Sequence, residues 1–244
     1  MRTSRSRINY PHKILLDITF WTAMSVVVAA AYLGWSIANA SRPLSNMERI
    51  QEAIMGTPTF EAGNKDNSWD KNSTSFGKCR SKGAAYTVIS LPSDTLKVCL
   101  NKQAIIGDFT LLTQMTIQSG INGGIVFHWN PGHGYYNDFY YFFLTINGWY
   151  GIQKGVDQKC PGKGCIQTLH EAFSPFIHKG LNKINEIIIM VSGNSFYLSV
   201  NGQFLTVVSD SDAPFSIGGI GFAVGFVPGD VIFANWEIWE HAVN

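Results

Sequence analysis

The sequence has little charge and no excess of either sign. Asp, Glu, Lys and Arg make up 14% of the 244 residues, and 18 basic residues nearly balance 17 acidic ones. Four of the basic residues precede Asp17, so the chain from Ser41 onward holds 14 basic and 16 acidic residues. A nucleic-acid-binding surface needs clustered basic residues. The composition therefore predicts no nucleic-acid partner.

Short motifs that mark common catalytic and metal sites are also missing. The sequence contains no G-x-S-x-G nucleophile elbow and no P-loop. His128 and His133 lie five residues apart, but no third metal ligand lies nearby in the sequence. These patterns predict neither a catalytic residue nor a metal site.

Cysteine is scarce, and all four cysteines follow the N-terminal apolar segment. Neither sequential pair has the C-x2-C spacing of a zinc site. An even number of cysteines in an exported domain predicts disulfides, with three connectivities open. We favour Cys79–Cys99 and Cys160–Cys165, since each pair closes a local loop.

The longest apolar run lies near the N-terminus. Ile18 to Ala40 is 23 residues without a charge, and a helix of that length rises about 34 Å, enough to cross a bilayer. The basic flank, residues 1–17, predicts a cytoplasmic N-terminus with the rest of the chain outside. We expect a single-pass protein of the bacterial cell membrane. The alternative is a secreted protein cleaved at Ala40, because Ala38-Asn39-Ala40 fits a signal-peptidase site.

A short helix and a linker are expected over residues 41–77. Ser45 and Glu48 have the S-x-x-E spacing of a capping box, and apolar residues recur at helical spacing up to Gly56-Thr57-Pro58. The helix could lie on the membrane, pack on the domain or belong to a loose stalk. Ala62 to Gly77 is polar and rich in glycine, which predicts a linker.

Residues 78–244 read as an all-β domain. Asn-Gly turns at Asn147-Gly148 and Asn201-Gly202 predict hairpins, since type I′ turns need φ > 0 at both central residues. Residues 158–177 are expected to form a loop, with one helical turn over 166–172. The remaining alternation predicts about eleven strands, over 85–91, 95–100, 109–117, 124–129, 139–146, 149–154, 184–191, 195–200, 203–209, 218–226 and 231–240.

The order of these segments carries a family resemblance. It runs GDFTLLTQMTI, GGIVFHW, FYYFFLTINGWYGIQK, INEIIIMVSGNSFYLSVNGQFL, IGGIGFAVG and DVIFANWEIW. Over roughly Lys78 to Glu240 this resembles the concanavalin A-like jelly roll of the laminin-G and keto-disaccharide hydrolase types. The resemblance implies an antiparallel β-sandwich of two large sheets, one of them concave. It also implies frequent carbohydrate recognition on the concave sheet.

The hydrolase features of that superfamily are absent or changed. Laminarinase-type members carry E-x-D-x-E on one strand, which supplies two catalytic carboxylates, and no segment here matches it. In the keto-disaccharide hydrolases, an arginine stands where this chain has His128. Their polar Y-E-x-Q strand corresponds to the apolar Phe139 to Phe143. No cofactor is implied except calcium, which laminin-G-like domains often bind; Asp210 and Asp212 are the one close acidic pair.

The loop between two aromatic strands is the best candidate binding site. It combines aromatic side chains, which suit the apolar faces of sugars, with amide, imidazole and carboxylate groups, which suit their hydroxyls. His128 has two interpretations: a residue of the sheet whose ring nitrogens are hydrogen-bonded within the protein, or a ligand contact. The predicted ligand-binding residues are His128, Trp129, Asn130, His133, Tyr135, Tyr136, Asp138 and Trp149.

The sequence as a whole predicts a non-enzymatic, membrane-anchored module outside the cytoplasm that binds a glycan or a protein. Two alternatives stay open. One is a divergent glycoside hydrolase of the keto-disaccharide type, and the other is an accessory subunit of a membrane protein complex.

Overall fold

A computed structural model describes residues 44–62, 69–75, 77–92, 96–131, 137–156, 165–212, 214–225 and 227–241, without the side chains of Lys82 and Cys165. The chain divides into two units, Met1–Leu44 and Ser45–Asn244. The predicted membrane helix over 18–40 lies outside the described residues. Within the described ranges, no helix has the length and apolar character needed to span a bilayer.

Among the described residues there are one α-helix and fifteen β-strands. The helix α1 is Asn46–Ala53. The strands are β1 (Phe60–Glu61), β2 (Ser73–Thr74), β3 (Gly77–Lys82), β4 (Ala85–Ser90), β5 (Lys97–Ile106), β6 (Phe109–Ser119), β7 (Asn122–Asn130), β8 (Asp138–Thr145), β9 (Trp149–Val156), β10 (Cys165–Phe173), β11 (Ile184–Ser192), β12 (Ser195–Val200), β13 (Gln203–Ser209), β14 (Gly218–Val224) and β15 (Gly229–Glu240).

The strands form two antiparallel sheets. One sheet has nine strands in the order β13-β12-β11-β6-β15-β4-β3-β2, with β1 paired to the last part of β15. The other has six strands in the order β10-β9-β8-β7-β14-β5. The predicted antiparallel β-sandwich is confirmed.

Side-chain alternation places the core between the two sheets. In β6, residues Phe109, Leu111, Met115 and Ile117 are buried on one face, as their period-two spacing predicts. The six-stranded sheet contributes alternate residues of its own strands to the same cluster. Each fully buried large apolar side chain adds about 1.5–3 kcal/mol to stability, so this layer accounts for most of the driving force for folding.

A disulfide joins the two sheets. Cys79 of β3 and Cys99 of β5 are bonded, with their Cα atoms 5.8 Å apart and 20 positions between them in sequence. The predicted pair is confirmed. Closing a loop of that length stabilises the fold by about 3 kcal/mol in the chain-entropy account. The second predicted pair, Cys160–Cys165, lies outside the described side chains.

Part of the segment predicted to be a linker, residues 69–75, belongs to the sandwich. Trp69 is buried between the sheets and stacks on Phe222, with ring centroids 4.4 Å apart and planes 1° apart. Phe60 pairs with Ile238 at the end of β15. Described residues before residue 78 therefore contribute to the sandwich. The prediction failed because one large aromatic ring in a polar segment leaves no periodic pattern.

The helix α1 packs on the outer face of the nine-stranded sheet. The capping box is present, with the Ser45 hydroxyl accepting from Glu48 N and the Glu48 carboxylate accepting from Ser45 N. Ile50 is fully buried against Ile188 and Met190 of β11. Of the three arrangements open from the sequence, packing on the domain is the observed one.

The prediction for residues 158–177 is wrong over its second half. Cys165–Phe173 forms β10, an edge strand paired with β9 through a bulge between Thr168 and His170. The bulge breaks the alternation, so the segment has the apolar spacing of a helical turn while lying in a sheet.

The sandwich has two distinct ends, which we name by their connections. The turn end carries the β6–β7, β8–β9 and β12–β13 turns and the β10–β11 loop (174–183). At the β12–β13 turn, both Asn201 and Gly202 have positive φ, as a type I′ turn requires. The loop end carries the β7–β8, β9–β10 and β13–β14 connections.

Candidate ligand-binding face

The outer face of the six-stranded sheet carries a row of aromatic rings. Alternation in β8 turns Phe139, Tyr141 and Phe143 away from the core, into a second apolar cluster with Val126 and Ala223. Trp129 at the end of β7 stacks on Phe139, with centroids 5.3 Å apart and planes 23° apart. We call Trp129, Phe139, Tyr141 and Phe143 the aromatic row.

Glycines on the neighbouring strand let the rings lie against the sheet. Phe139 is paired with Gly155 and Phe143 with Gly151. A Cβ at Gly155 would come 2.3 Å from the Phe139 ring, and one at Gly151 would come 2.9 Å from the Phe143 ring. Such contacts are closer than any real Cβ contact, so a side chain at either position would displace a ring. The four-residue spacing of these glycines along β9 therefore shapes the row.

The row is buried along most of its length and reaches solvent at Trp129. Tyr141 is 1% exposed, whereas Trp129 is partly exposed. Burial raises the pKa of the Tyr141 hydroxyl, which keeps it protonated. Its oxygen has no hydrogen-bond partner among the described residues. A buried unpaired hydroxyl costs about 1–3 kcal/mol, so the row contains one polar group that the described residues leave unsatisfied.

Two polar residues stand beside Trp129 where the row meets the loop end. Asn130 of β7 is opposite Asp138 of β8, and both are partly exposed. The Asn130 amide donates to the backbone oxygens of His128 (3.1 Å) and Ile217 (2.8 Å), which fixes its orientation. Three of the predicted site residues, His133, Tyr135 and Tyr136, belong to the same connection but lie outside the described residues.

His128 does not belong to this face. It has φ 49° in a bulge of β7, and this left-handed conformation turns its ring inward, where it is fully buried. Its Nδ1 lies 2.7 Å from Phe215 O and its Nε2 lies 2.9 Å from Gly107 O. Burial lowers its pKa, and the two carbonyl contacts oppose that shift. The predicted ligand contact is therefore wrong, while the alternative of a satisfied sheet histidine is the observed one.

Trp149 also lies apart from the candidate site. It begins β9 at the turn end, while Asp138 begins β8 at the loop end. The seven steps of β8 between these ends span roughly 23 Å. The Asn147-Gly148 turn does bring β9 alongside β8, but it does so at the far end of the sheet.

Behind the aromatic row, a buried ion pair holds the β13–β14 connection. Lys154 Nζ is 2.6 Å from Asp210 Oδ2, and both side chains are 3% exposed. Tyr140 donates to Asp210 at 2.6 Å and accepts from Phe215 N at 3.0 Å. Burial raises the pKa of Asp210, but hydrogen bonds from Lys154 and Tyr140 outweigh it and hold the pKa below its ordinary value.

This arrangement argues against calcium at Asp210. The lysine ammonium group occupies the position beside the carboxylate that a cation would take. The described residues contain no group of three or more His, Cys, Asp or Glu side chains suited to a metal ion. Within the predicted acidic pair, Asp210 is therefore ion-paired with Lys154, and the Asp212 N–H donates to Asp210 Oδ1 at 3.0 Å.

Glu171 and Asp138, two carboxylates of the six-stranded sheet, are too far apart for glycosidase chemistry. Glu171 of β10 lies opposite Gly151, which lies opposite Phe143. Asp138 is five residues from Phe143 along β8, a distance of about 16 Å. Glycosidase pairs are separated by about 5–9.5 Å. Glu171 and Asp138 therefore do not form such a pair.

No protein family matches the sequence, and no curated protein matches it. Solved structures do match. The carbohydrate-binding module CBM66 from Bacillus subtilis has a TM-score of 0.55 and 18% identity over 72% of this chain and 98% of its own. The Bacillus licheniformis beta-glucanase has a TM-score of 0.51 and 13% identity over 77% of this chain and 100% of its own.

The fold is a concanavalin A-like jelly roll. The resemblance inferred from the order of sequence motifs is thus confirmed. The VIP36 exoplasmic/lumenal domain matches at a TM-score of 0.50 with 9% identity, over 72% of this chain and 84% of its own. At these identities the likeness establishes the fold.

Sequence reasoning missed the aromatic row, although a signal was present. F-x-Y-x-F over Phe139 to Phe143 places three rings on one face of a strand. Gly151 and Gly155 of the next strand have the matching spacing. A search for alternating aromatics opposite alternating glycines would have found the pair of strands.

Proposed function

We propose that this protein is a non-enzymatic glycan-binding module that the N-terminal segment anchors outside the cytoplasm of a bacterial cell. One observation carries the proposal: a row of aromatic side chains on the outer face of the six-stranded sheet ends at the partly exposed Trp129, next to the paired residues Asn130 and Asp138. Flat apolar rings and adjacent polar groups are the two components that sugar recognition needs.

The ligand enters from the exposed end of the row. A sugar ring stacks on the partly exposed face of Trp129, and its hydroxyls meet the polar groups of Asn130 and Asp138. The unpaired hydroxyl of Tyr141 offers a further hydrogen bond deeper in the row. His133, Tyr135 and Tyr136 follow Asn130 within six residues along the chain and stay predicted contacts.

Binding without hydrolysis is favoured by the placement of carboxylates. Glu171 and Asp138 are separated by about 16 Å along the strand direction alone, beyond the separation of either glycosidase geometry. Structures that share the fold include both a carbohydrate-binding module and a beta-glucanase, so the fold is compatible with either role.

Anchoring and export are supported by the apolar segment and by the disulfide. Ile18 to Ala40 is long enough to cross a bilayer, and basic residues precede it. The Cys79–Cys99 bond suits an oxidising compartment, because cytosolic thiols are kept reduced. Cleavage after Ala40 would give a secreted form with the same binding face.

The proposal is tested by a glycan array probed with the full-length chain in detergent. We expect binding by the wild type and a loss of about tenfold in affinity for Trp129→Ala, since a ring stack contributes about 0.5–1.5 kcal/mol beyond its buried area. Trp149→Ala is the matched control and is expected to bind normally, because it removes an exposed tryptophan from the opposite end of the sheet.

Tyr141→Phe probes the deeper contact on the same array. It removes only the hydroxyl, so a weaker affinity with unchanged or higher stability would place that oxygen on the ligand. No glycan binding by the wild type, equal binding by Trp129→Ala, or sugar products detected by mass spectrometry after incubation would each contradict the proposal.

A further inference from the structure

The turn end carries a group of large apolar side chains that the protein leaves in solvent. Six residues are each between 44% and 57% exposed. We call this group the turn-end patch; it comprises Ile121, Trp149, Phe173, Phe176, Leu181 and Ile184. Grouped apolar side chains on a protein surface mark an interaction site, whereas single ones are ordinary.

The patch is held on an ordered framework of turns. Ile146 N donates to Ile121 O at 2.9 Å, and Gly180 N donates to Ile146 O at 2.8 Å. The Asn201 amide donates to Phe176 O at 2.7 Å. Two of these bonds tie the β10–β11 loop to the β8–β9 and β12–β13 turns, and the other ties the β8–β9 turn to the β6–β7 turn. The apolar side chains of the loop are therefore presented from hydrogen-bonded turns.

Positive charge accompanies the apolar groups. Residues 174–185 include Lys179 and Lys183, both exposed, and no acidic residue. Lys179 Nζ lies 4.4 Å from the centre of the Phe173 ring. Tryptophan and phenylalanine next to lysine are typical of surfaces at a membrane interface, where rings enter the headgroup layer and ammonium groups meet lipid phosphates.

The path of the chain places the N-terminal connection toward the same end. Met47, near the start of α1, contacts Ser199, which lies two residues before the β12–β13 turn. Beyond the helix, Gly56 O accepts a hydrogen bond from Trp239 Nε1. Trp239 lies next to the C-terminal end of β15, which is at the loop end. The helix therefore begins on the turn-end side and runs toward the loop end.

We propose that the turn-end patch rests on the surface of the bilayer that holds the N-terminal segment. This inference rests on the proposed anchoring. Four residues lie between Ala40 and Ser45, and the five Cα-to-Cα steps between these two residues span at most about 17 Å. The turn end combines the start of α1, the exposed rings and the lysines, so it is the part of the described chain best suited to contact lipid. The aromatic row then opens at Trp129, away from the membrane.

Quenching by brominated lipids tests this placement. The full-length chain is reconstituted into vesicles of phosphatidylcholine and phosphatidylglycerol with bromines on the acyl chains near the headgroups. We expect quenched emission from the wild type to include a component that Trp149→Phe loses. The double variant Phe176→Ser/Leu181→Ser, which keeps Trp149, is expected to reduce that component by severalfold. Ile105→Ser/Ile217→Ser, two exposed residues at the loop end, is the matched control and should leave it unchanged.

The possible failures are distinguishable. Equal quenching in the wild type and Trp149→Phe, with the chain still resistant to carbonate extraction, would contradict the contact between the turn-end patch and the membrane. It would leave the proposed N-terminal anchor unaffected. Release of the chain by carbonate would overturn both. A patch that covers a partner protein would likewise show no Trp149 quenching in pure lipid. Glycan binding is scored separately on the array and does not depend on any of these outcomes.

Discussion

The loop end and the turn end of this sandwich are closed in opposite ways. At the loop end, charged and polar side chains are buried: the Lys154–Asp210 ion pair, the Tyr140 hydroxyl and the His128 ring all lie inside. At the turn end, backbone hydrogen bonds and the side-chain amides of Asn185 and Asn201 hold the turns, and the apolar side chains of the turn-end patch stay outside. The buried ion pair is therefore at the loop end, whereas the turn end carries the exposed turn-end patch.

The largest expected effect is at the loop end. Asp210→Ala leaves the Lys154 ammonium buried without its partner, which typically costs about 3–5 kcal/mol. Denaturant unfolding monitored by tryptophan fluorescence measures the loss. Asp210→Leu/Lys154→Met removes both charges and should recover much of it, because apolar replacement of a buried pair is often neutral. A double variant no more stable than Asp210→Ala would show that the ion pair is not what closes this end.

Acid should weaken the loop end in a way that depends on Asp210. Its pKa in the folded chain is held below the ordinary value, against burial, by the hydrogen bonds from Lys154 and Tyr140. The stability it contributes is complete above the unfolded pKa of about 4 and is lost as pH falls through the lower folded pKa. As the pH is lowered from about 7 into this acid range, the urea concentration at the unfolding midpoint should fall more steeply for the wild type than for Asp210→Asn. Parallel curves would contradict the assignment.

The smallest effect on stability is expected at the turn end. Phe176→Ser/Leu181→Ser changes two exposed side chains, and exposed substitutions of this kind usually alter stability by no more than about 0.5 kcal/mol. The melting temperature of the β-sandwich, measured on the full-length chain in detergent, checks this. A loss close to that of Asp210→Ala would mean that the patch is structural and would remove the contrast between the two ends.

Local patterns were sufficient for much of the fold. Alternation from Phe109 to Ile117 placed β6 with the correct inward face, and Asn201-Gly202 placed a hairpin turn. The capping box at Ser45 and the Cys79–Cys99 pair also followed from spacing alone. Each depends on residues close in sequence or on one short loop, so the physical cause is visible without the fold.

The candidate site was predicted less completely. Trp129, Asn130 and Asp138 were placed correctly around one connection, whereas His128 and Trp149 were grouped with them by closeness in sequence. A bulge with positive φ turns His128 into the core, and a full strand length separates Trp149 from the loop. Residue type alone does not predict where a single bulge occurs. It also does not predict at which end of a strand a residue lies.

Two kinds of information are thus separable in this chain. Period-two alternation, Asn-Gly turns and cysteine spacing dictate antiparallel strands with one buried face, because these preferences act over a few residues. Long-range pairing decided the rest: β10 at a sheet edge, Trp69 between the sheets, the rings of β8 lying over the glycines of β9, and the assignment of Trp129 and Trp149 to opposite ends. These outcomes depend on which surfaces pack together in the folded chain. The packing energy of those surfaces comes from residues far apart in sequence.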